Sequence, residues 1–350
     1  PEQYSNNRPY LQRGLADTEL WIVPTHNPEG LQVVHSYLEA DNEIQDVTYR
    51  KNRTDVNNNG IFDYISGVGQ DIDGVDLNRN YDFNWSFGDT LWAPTTSCNA
   101  GYNDDYDYYR GLNPASESEI QSIMNLAIDQ QFLLSIAYHS SRSGCIDRYV
   151  IYPWAWKDKW GENMREYSPG FEVVEKLGAE IAEITGKDLG ENYLHTGTSF
   201  RGGKAQDWFY RETGCIQYLI EVGYTPDIDY GSGLLVEEDH LDDVVESNMD
   251  AFFYLLMRTV GNNYNSVDGN QVRGVVSDSV AFTPIANAII TIPELENNIT
   301  RPRRTDESGF YSRLLHTNGS YTMVVSAFGY KRTETLHIVH NSSSATTQDI

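Results

Sequence analysis

Apolar and polar positions follow two different habits along this chain, and the change falls near residue 261. Before it, short apolar runs alternate with longer amphipathic stretches. Residues 21–23, residues 133–138 and Ile216–Val222 are apolar runs of strand length. Residues 116–130 predict a helix, with Ser116 as its cap and Glu117 and Glu119 in the first turn, where carboxylates meet the positive end of the helix dipole. Val173, Val174, Leu177, Ile181 and Ile184 recur at helical spacing and predict a helix over residues 171–185. Residues 203–212 predict a short helix. Residues 237–260 predict a long one with an acidic start and Arg258 near its end. Strands alternating with helices predict an α/β fold, a central β-sheet flanked by helices.

Beyond Val260 the pattern changes. Gly261, Asn262, Asn263, Asn265 and Ser266 are turn formers and mark a linker. Residues 272–276, 288–292, 321–326 and 335–339 then predict short strands separated by turns, which is the signature of a small all-β sandwich. The expected organisation is a first domain over residues 1–260, a linker over 261–268 and an all-β domain over 269–350.

Charge narrows the class of partner. With 51 acidic against 25 basic residues the chain carries a formal net charge of −26. Nucleic acids and anionic membranes are disfavoured, because phosphates are held by clustered lysine and arginine. No apolar run is long enough to span a bilayer. Three cysteines, Cys98, Cys145 and Cys215, are compatible with one disulfide plus a free thiol or with none, and none has zinc-ribbon spacing. The amino end begins at Pro1, with neither a start methionine nor a signal peptide, and is expected to be the product of processing or truncation.

The candidate chemistry lies in the first domain. Gly74-Val75-Asp76-Leu77-Asn78-Arg79-Asn80-Tyr81 places an arginine and several amides on a tight polar turn, and Arg50-Lys51-Asn52-Arg53 precedes it. A guanidinium fork beside an amide donor suits a small carboxylate. The run over residues 133–138 ends at His139, and Ile216–Val222 carries Glu221 near its end, where α/β sheets place their sites. Asp55-Val56-Asn57-Asn58-Asn59-Gly60-Ile61-Phe62-Asp63 fits a calcium-loop pattern, with Asp55, Asn57, Asn59 and Asp63 as oxygen donors and Asp71 or Asp73 to close the shell. Ser66 stands where such a loop would carry its bidentate glutamate. The loop lies between Arg53 and Asn78, so bound Ca2+ would steady the arginines.

The ordered set RKNR, DLNRNY, a strand ending in His and a strand ending in Glu resembles the zinc carboxypeptidases of the metallocarboxypeptidase A/B/D superfamily. Glu19-Leu20-Trp21-Ile22-Val23-Pro24 with Asn27-Pro28-Glu29-Gly30 resembles the strand and NPDG turn of that family. Gly202-Gly203 before Gln206-Asp207-Trp208 belongs to the same likeness. The segments Pro284-Ile285-Ala286-Asn287-Ala288 and Gly309-Phe310-Tyr311 resemble the transthyretin-like domain that follows the catalytic domain in D-type enzymes.

The resemblance implies a secreted, zinc-dependent metallocarboxypeptidase acting on peptide or protein C-termini, with a mixed central β-sheet flanked by helices and a transthyretin-like sandwich after it. It implies His139 as a zinc ligand, Glu221 as the general base and Arg53 as the oxyanion donor. Asn78 and Arg79 would bind the terminal carboxylate, and zinc would activate the attacking water. Gln206 falls at the base of the family's specificity pocket. Phe200 is the nearest match to the family's mobile tyrosine, and it lacks the hydroxyl; Tyr193 lies in the same loop. The family's HxxE pair of zinc ligands is expected upstream of Pro1, so this chain is expected to lack two zinc ligands. The literal His26-Asn27-Pro28-Glu29 match sits at the NPDG turn and is assigned to that turn. Two rival readings keep part of the pattern: a non-catalytic, calcium-stabilised peptide-binding module, and a related amidohydrolase acting on side-chain or cell-wall amides.

Overall fold

The computed structural model describes residues 9–16, 18–39, 42–47, 49–64, 73–87, 108–140, 148–157, 165–189, 193–223, 238–261, 269–331 and 336–350. Helices α1 (Pro9–Ala16) and α2 (Pro28–His35) come first, followed by the hairpin of β1 (Tyr37–Glu39) and β2 (Asn42–Ile44). Helix α3 (Ser118–Gln130) leads into β3 (Leu134–Ser140). Strands β4 (Tyr149–Tyr152), β5 (Ala155–Lys157) and β6 (Arg165–Tyr167) precede helix α4 (Phe171–Leu189). Strand β7 (Leu194–Gly197), helix α5 (Ala205–Glu212), strand β8 (Ile216–Val222) and helix α6 (Glu238–Val260) follow.

The central sheet has the order β3-β8-β4-β7. Strand β3 runs parallel to β8, β7 runs parallel to β4, and β4 is antiparallel to β8. The sheet is therefore mixed, as the resemblance implies. Strand β8 lies inside it and is buried from Ile216 through Glu221, which explains its unbroken apolar character. Leu177 and Ile181 of α4 share one core with Tyr152, Tyr218 and Ile220 of the sheet and with Ala251 and Leu255 of α6. Each such fully buried aliphatic side chain contributes about 1.5–3 kcal/mol of burial. A second core, with Leu77, Tyr81, Ile120, Trp208, Phe209 and Cys215, lies beneath the Asp76–Arg79 turn and fixes its position against α3 and α5.

Some boundaries move. The expected strand over residues 21–23 is absent: Ile22 is 75 % exposed and no strand pairs with this segment among the described residues. An apolar run without a partner strand leaves its backbone groups unpaired, and it does not become a strand on composition alone. Ser116 is not the cap of α3. Glu117 occupies that position without a side-chain cap bond, and the Ser116 hydroxyl donates to Glu117 Oε1 at 2.6 Å. Strand β3 is only half buried, although its sequence reads as a core strand. Cys215 is a buried free thiol, and Cys98 and Cys145 lie outside the described residues.

The C-terminal region is all-β. Strands β9 (Gln271–Val275), β10 (Ile289–Thr291), β11 (Arg303–Arg304), β12 (Phe310–Leu314), β13 (Gly319–Ser326), β14 (Leu336–His340) and β15 (Thr346–Thr347) form two sheets, β11-β10-β13-β14 and β12-β9-β15. Val272 and Tyr311 from one sheet share a core with Ile290, Met323, Val325 and Ile338 from the other, which makes a sandwich.

Arginines tie this sandwich to the first domain. Arg303 Nη2 donates to Tyr210 O at 2.6 Å, and Arg258 Nη2 donates to Asn270 O at 2.9 Å. Arg258 is 1 % exposed, at the end of α6. Replacing it with Met leaves buried carbonyls without a donor at the junction. A loss of about 2–3 kcal/mol is expected, read as a lower midpoint in denaturant unfolding. An unchanged midpoint would show that the junction does not depend on this guanidinium.

Candidate active site

His139 and Glu221 are register partners on the parallel strands β3 and β8, near their carboxyl ends. Adjacent strands in register turn paired residues to the same face, so the imidazole and the carboxylate stand side by side. Glu221 is buried and His139 partly so. The sequence pattern foresaw this pair from the two strand ends.

The Asp76–Arg79 turn, called the clamp below after its expected role, is a one-turn 3-10 helix, Leu77–Arg79, capped by Asp76, whose Oδ1 accepts from Asn78 N at 3.1 Å. The other Asp76 oxygen, Oδ2, accepts from both Arg50 Nε at 3.1 Å and Arg50 Nη2 at 2.7 Å. Arg79 Nη1 donates to Asn78 O at 2.8 Å and stands 4.0 Å from Asp76 Oδ2. Two glycines make the close approaches that build this turn. Gly74 (φ +83°) lies so near Asn52 that a Cβ would sit 2.4 Å from Asn52 O. Gly203 (φ +66°) is packed so that a Cβ would sit 2.3 Å from Arg79 O. The chain from Gly203 to Ala205 therefore lies directly on the clamp, with Ala205 N donating to Asn78 Oδ1 at 2.9 Å.

Charge is balanced within this cluster. Burial pushes the Asp76 carboxyl up, but Arg50 and Arg79 more than offset it and hold it below the usual carboxylate range. Burial first, then the neighbouring charge on Arg50, depress His139 to about 4, so its imidazole is neutral at physiological pH. Burial also lowers Arg79, while Asp76, Tyr108 and Glu221 act to keep it charged. Arg50 and Arg79 both lie over the Tyr108 ring, at 4.5 and 5.5 Å from its centroid.

Asn78, Arg79, His139 and Glu221 thus form one constellation. Arg53 stands apart from it. Its Nη1 donates to Gln32 Oε1 at 3.1 Å and its guanidinium lies 5.2 Å from the Phe62 ring, whereas Arg50 is the arginine whose charge reaches His139. Gln206 is 1 % exposed and donates to Thr198 Oγ1 at 2.9 Å, behind the clamp rather than open to it. Phe200 is 44 % exposed and carries the Lys204 ammonium 3.8 Å from its ring centroid. Tyr193 is buried and donates to Gly223 O at 3.3 Å.

Sequence reasoning did not single out Arg50, Tyr108, Lys204 or the placement of His26. Arg50 sat inside the quoted RKNR run, but nothing in the run says which arginine turns inward. His26 is near enough to His139 to act on its protonation, and His26 Nε2 is buried without a hydrogen-bond partner among the described residues. Glu29 does not join it: its Oε2 accepts from Arg53 N at 3.0 Å, and Asn27 caps α2 by accepting from Gly30 N. The His-x-x-Glu match is therefore a turn in this structure.

The loop over residues 55–63 is closed by its own hydrogen bonds. Gly60 N donates to Asp55 Oδ2 at 2.7 Å, Asn57 Nδ2 and Asn59 Nδ2 donate to Asp63 Oδ2 at 2.6 and 2.7 Å, and Asp73 accepts from Val56 N and Asp63 N. Asp71 lies outside the described residues. The calcium expectation rests on the sequence pattern alone.

A zinc site needs three protein donors and an open position. His139 fits as one of them, a neutral imidazole at a strand end. Among the described residues no group of three or more His, Cys, Asp or Glu side chains is placed to hold a metal ion, so they do not assemble the full donor set. No helix among them is long and apolar enough to cross a membrane.

Comparisons with known proteins give a consistent picture. A family profile described as zinc carboxypeptidase matches residues 2–251, and one described as carboxypeptidase regulatory-like domain matches residues 271–350. Carboxypeptidase Z of Rattus norvegicus is 24 % identical over 346 residues, which is 94 % of this chain and 45 % of that protein. Zinc carboxypeptidase A 1 of Anopheles gambiae is 26 % identical over 265 residues, 72 % of this chain and 50 % of that protein. The chain spans about half the length of the curated relatives it matches. Among solved structures, the carboxypeptidase A from Helicoverpa armigera aligns over 68 % of this chain and 51 % of its own, at 18 % identity and a TM-score of 0.47.

Proposed function

The chain belongs to the zinc carboxypeptidase family, and from that membership we propose that it holds the free carboxyl terminus of a peptide and hydrolyses the last peptide bond. Residues 1–260 would be the catalytic domain and 269–350 its appended sandwich. One observation carries the reading. The Arg79 side chain is 15 % exposed and backed by Asp76 and by Asn78 O, and no other acceptor among the described residues takes its guanidinium. A fixed, charged fork with open N–H groups is what a terminal carboxylate needs. Asn78 adds a donor, because its Oδ1 is taken by Ala205 N and its Nδ2 is left to face a ligand.

Glu221 accepts the proton of the attacking water and returns it to the leaving amine. Its register partner His139 is a neutral imidazole, so the carboxylate does not face an imidazolium on β3. Arg53, expected as the oxyanion donor, is held at Gln32 Oε1 and over the Phe62 ring, apart from His139 and Glu221. Zinc bound at His139 would supply Lewis acidity to the scissile carbonyl, and the described residues provide one of its donors. The incomplete donor set favours a second reading, in which the same clamp binds peptide C-termini without cleaving them.

Matched peptides with free or amidated C-termini, incubated with the protein and zinc and followed by mass spectrometry, separate these readings. Loss of one residue from the free peptides alone is the expected result. Binding of free peptides without cleavage would leave the second reading standing, and cleavage of amidated peptides alone would sink both.

A further inference from the structure

Lys204 is a buried lysine at the edge of the clamp, and nothing in the proposed hydrolysis uses it. It is 9 % exposed and begins α5 from the turn that lies on Arg79. Its ammonium rests on the Phe200 ring, at 3.8 Å from the centroid, and no carboxylate is in contact with it among the described residues. The four charged groups that face it come from three elements: Arg79 and Asp76 from the clamp turn, Asp207 from its own helix, and Glu221 from β8.

Asp207 is the obvious counter-ion, but it is turned inward. It is 2 % exposed, its Oδ2 accepts from Trp156 Nε1 at 3.2 Å, and Thr198 and Trp154 also face its carboxylate. Phe200, at 44 % exposure, is the open lip of the same wall. A ligand entering over Phe200 therefore meets the ammonium before it meets the carboxylate.

We propose that Lys204 is a specificity-determining residue that selects an acidic terminal side chain, with Arg79 holding the α-carboxylate and Lys204 the side-chain carboxylate of the same terminal residue. The inference rests on the proposed reading of the clamp. Two adjacent cations with one carboxylate each suit a terminal Glu or Asp, and such a ligand relieves the repulsion between Arg79 and Lys204. Burial, then Arg79, lower the Lys204 amine to about 7. Burial pushes the facing Asp207 carboxyl up to about 7 as well, so the two groups titrate together; the cation belongs to the acid end of that range and the preference should weaken as pH rises through it.

The test is binding of N-acetyl dipeptides ending in Glu, Gln or Lys, measured by calorimetry from pH 6 to 8.5, which does not depend on turnover. The Glu peptide should bind about tenfold more tightly than its neutral isostere Gln at pH 6, and the advantage should shrink toward pH 8.5. Lys204→Met should abolish the Glu-over-Gln ratio, and Lys204→Arg should keep it while removing its decline with pH. Equal binding of Glu and Gln peptides, or a ratio that survives in Lys204→Met, would overturn the inference. Tighter binding of the Lys peptide would overturn it too, and would make Asp207 and the unpartnered Oε1 of Gln206 the groups a substrate meets. If no dipeptide binds while its amide does, the clamp reading itself has failed; if all three bind alike, only the role of Lys204 has.

Discussion

Glu221→Gln is expected to lower the turnover of free C-terminal peptides by about 10³-fold while leaving peptide affinity within a few-fold. The substitution keeps the size and shape of the side chain and removes its negative charge, and with it the ability to take a proton. Glu221 sits on the interior strand β8, so its backbone is fixed by neighbours on both sides and an amide there should not disturb the sheet. The remote effects have a defined sign. Glu221 acts to raise both Arg79 and Lys204, so its neutralisation lets the Lys204 amine fall further and leaves Arg79 charged with Asp76 as its support. Stopped-flow turnover and equilibrium binding on one preparation check this. A loss confined to KM would show that Glu221 holds substrate rather than moving a proton. Unchanged turnover would remove it from the chemistry.

How much of this was legible in the sequence depends on which force fixes each part. Strand β8 matched its expected bounds residue for residue, because an interior strand must be apolar throughout and its signal is local. Helices α4 and α6 appeared where the apolar spacing put them, with α4 running on from the expected residue 185 to Leu189 and α6 described over Glu238–Val260 against the expected 237–260. Residues 21–23 misled because strand formation needs a neighbour, which a run of apolar residues does not announce.

The site divides the same way. His139 and Glu221 could be read because each ends a run that folds as a strand. Arg50 could not, since its choice of Asp76 depends on the stacking of the 50–54 and 73–79 segments through Asn52 N to Val75 O at 3.0 Å and Gly74 N to Thr54 O at 2.8 Å. Lys204 was hidden for a related reason. In sequence it follows two glycines like any loop lysine, and only the close packing of Gly203 on Arg79 O puts it beside a second buried cation.

Arg79→Ala should reduce kcat/KM on free C-terminal peptides by about 10²–10³-fold, mostly through KM. The guanidinium is the group whose open N–H face suits a carboxylate, and no other cation of the clamp can replace it. Arg50 is committed to Asp76 through two hydrogen bonds, and Arg53 to Gln32. The fold should survive, because Asp76 keeps Arg50 on Oδ2 and its cap bond from Asn78 N. Arg79→Lys tests the geometry rather than the charge. A lysine restores a cation but not the planar fork, so it should recover only part of the loss. The lysine variant also places an ammonium beside Lys204, where two amines in one buried space depress each other, and its activity should fall off at lower pH than that of the parent. Full recovery by lysine would mean that charge alone holds the carboxylate. A loss in Arg79→Ala equal for free and amidated peptides would mean that Arg79 supports the turn and does not touch the substrate terminus.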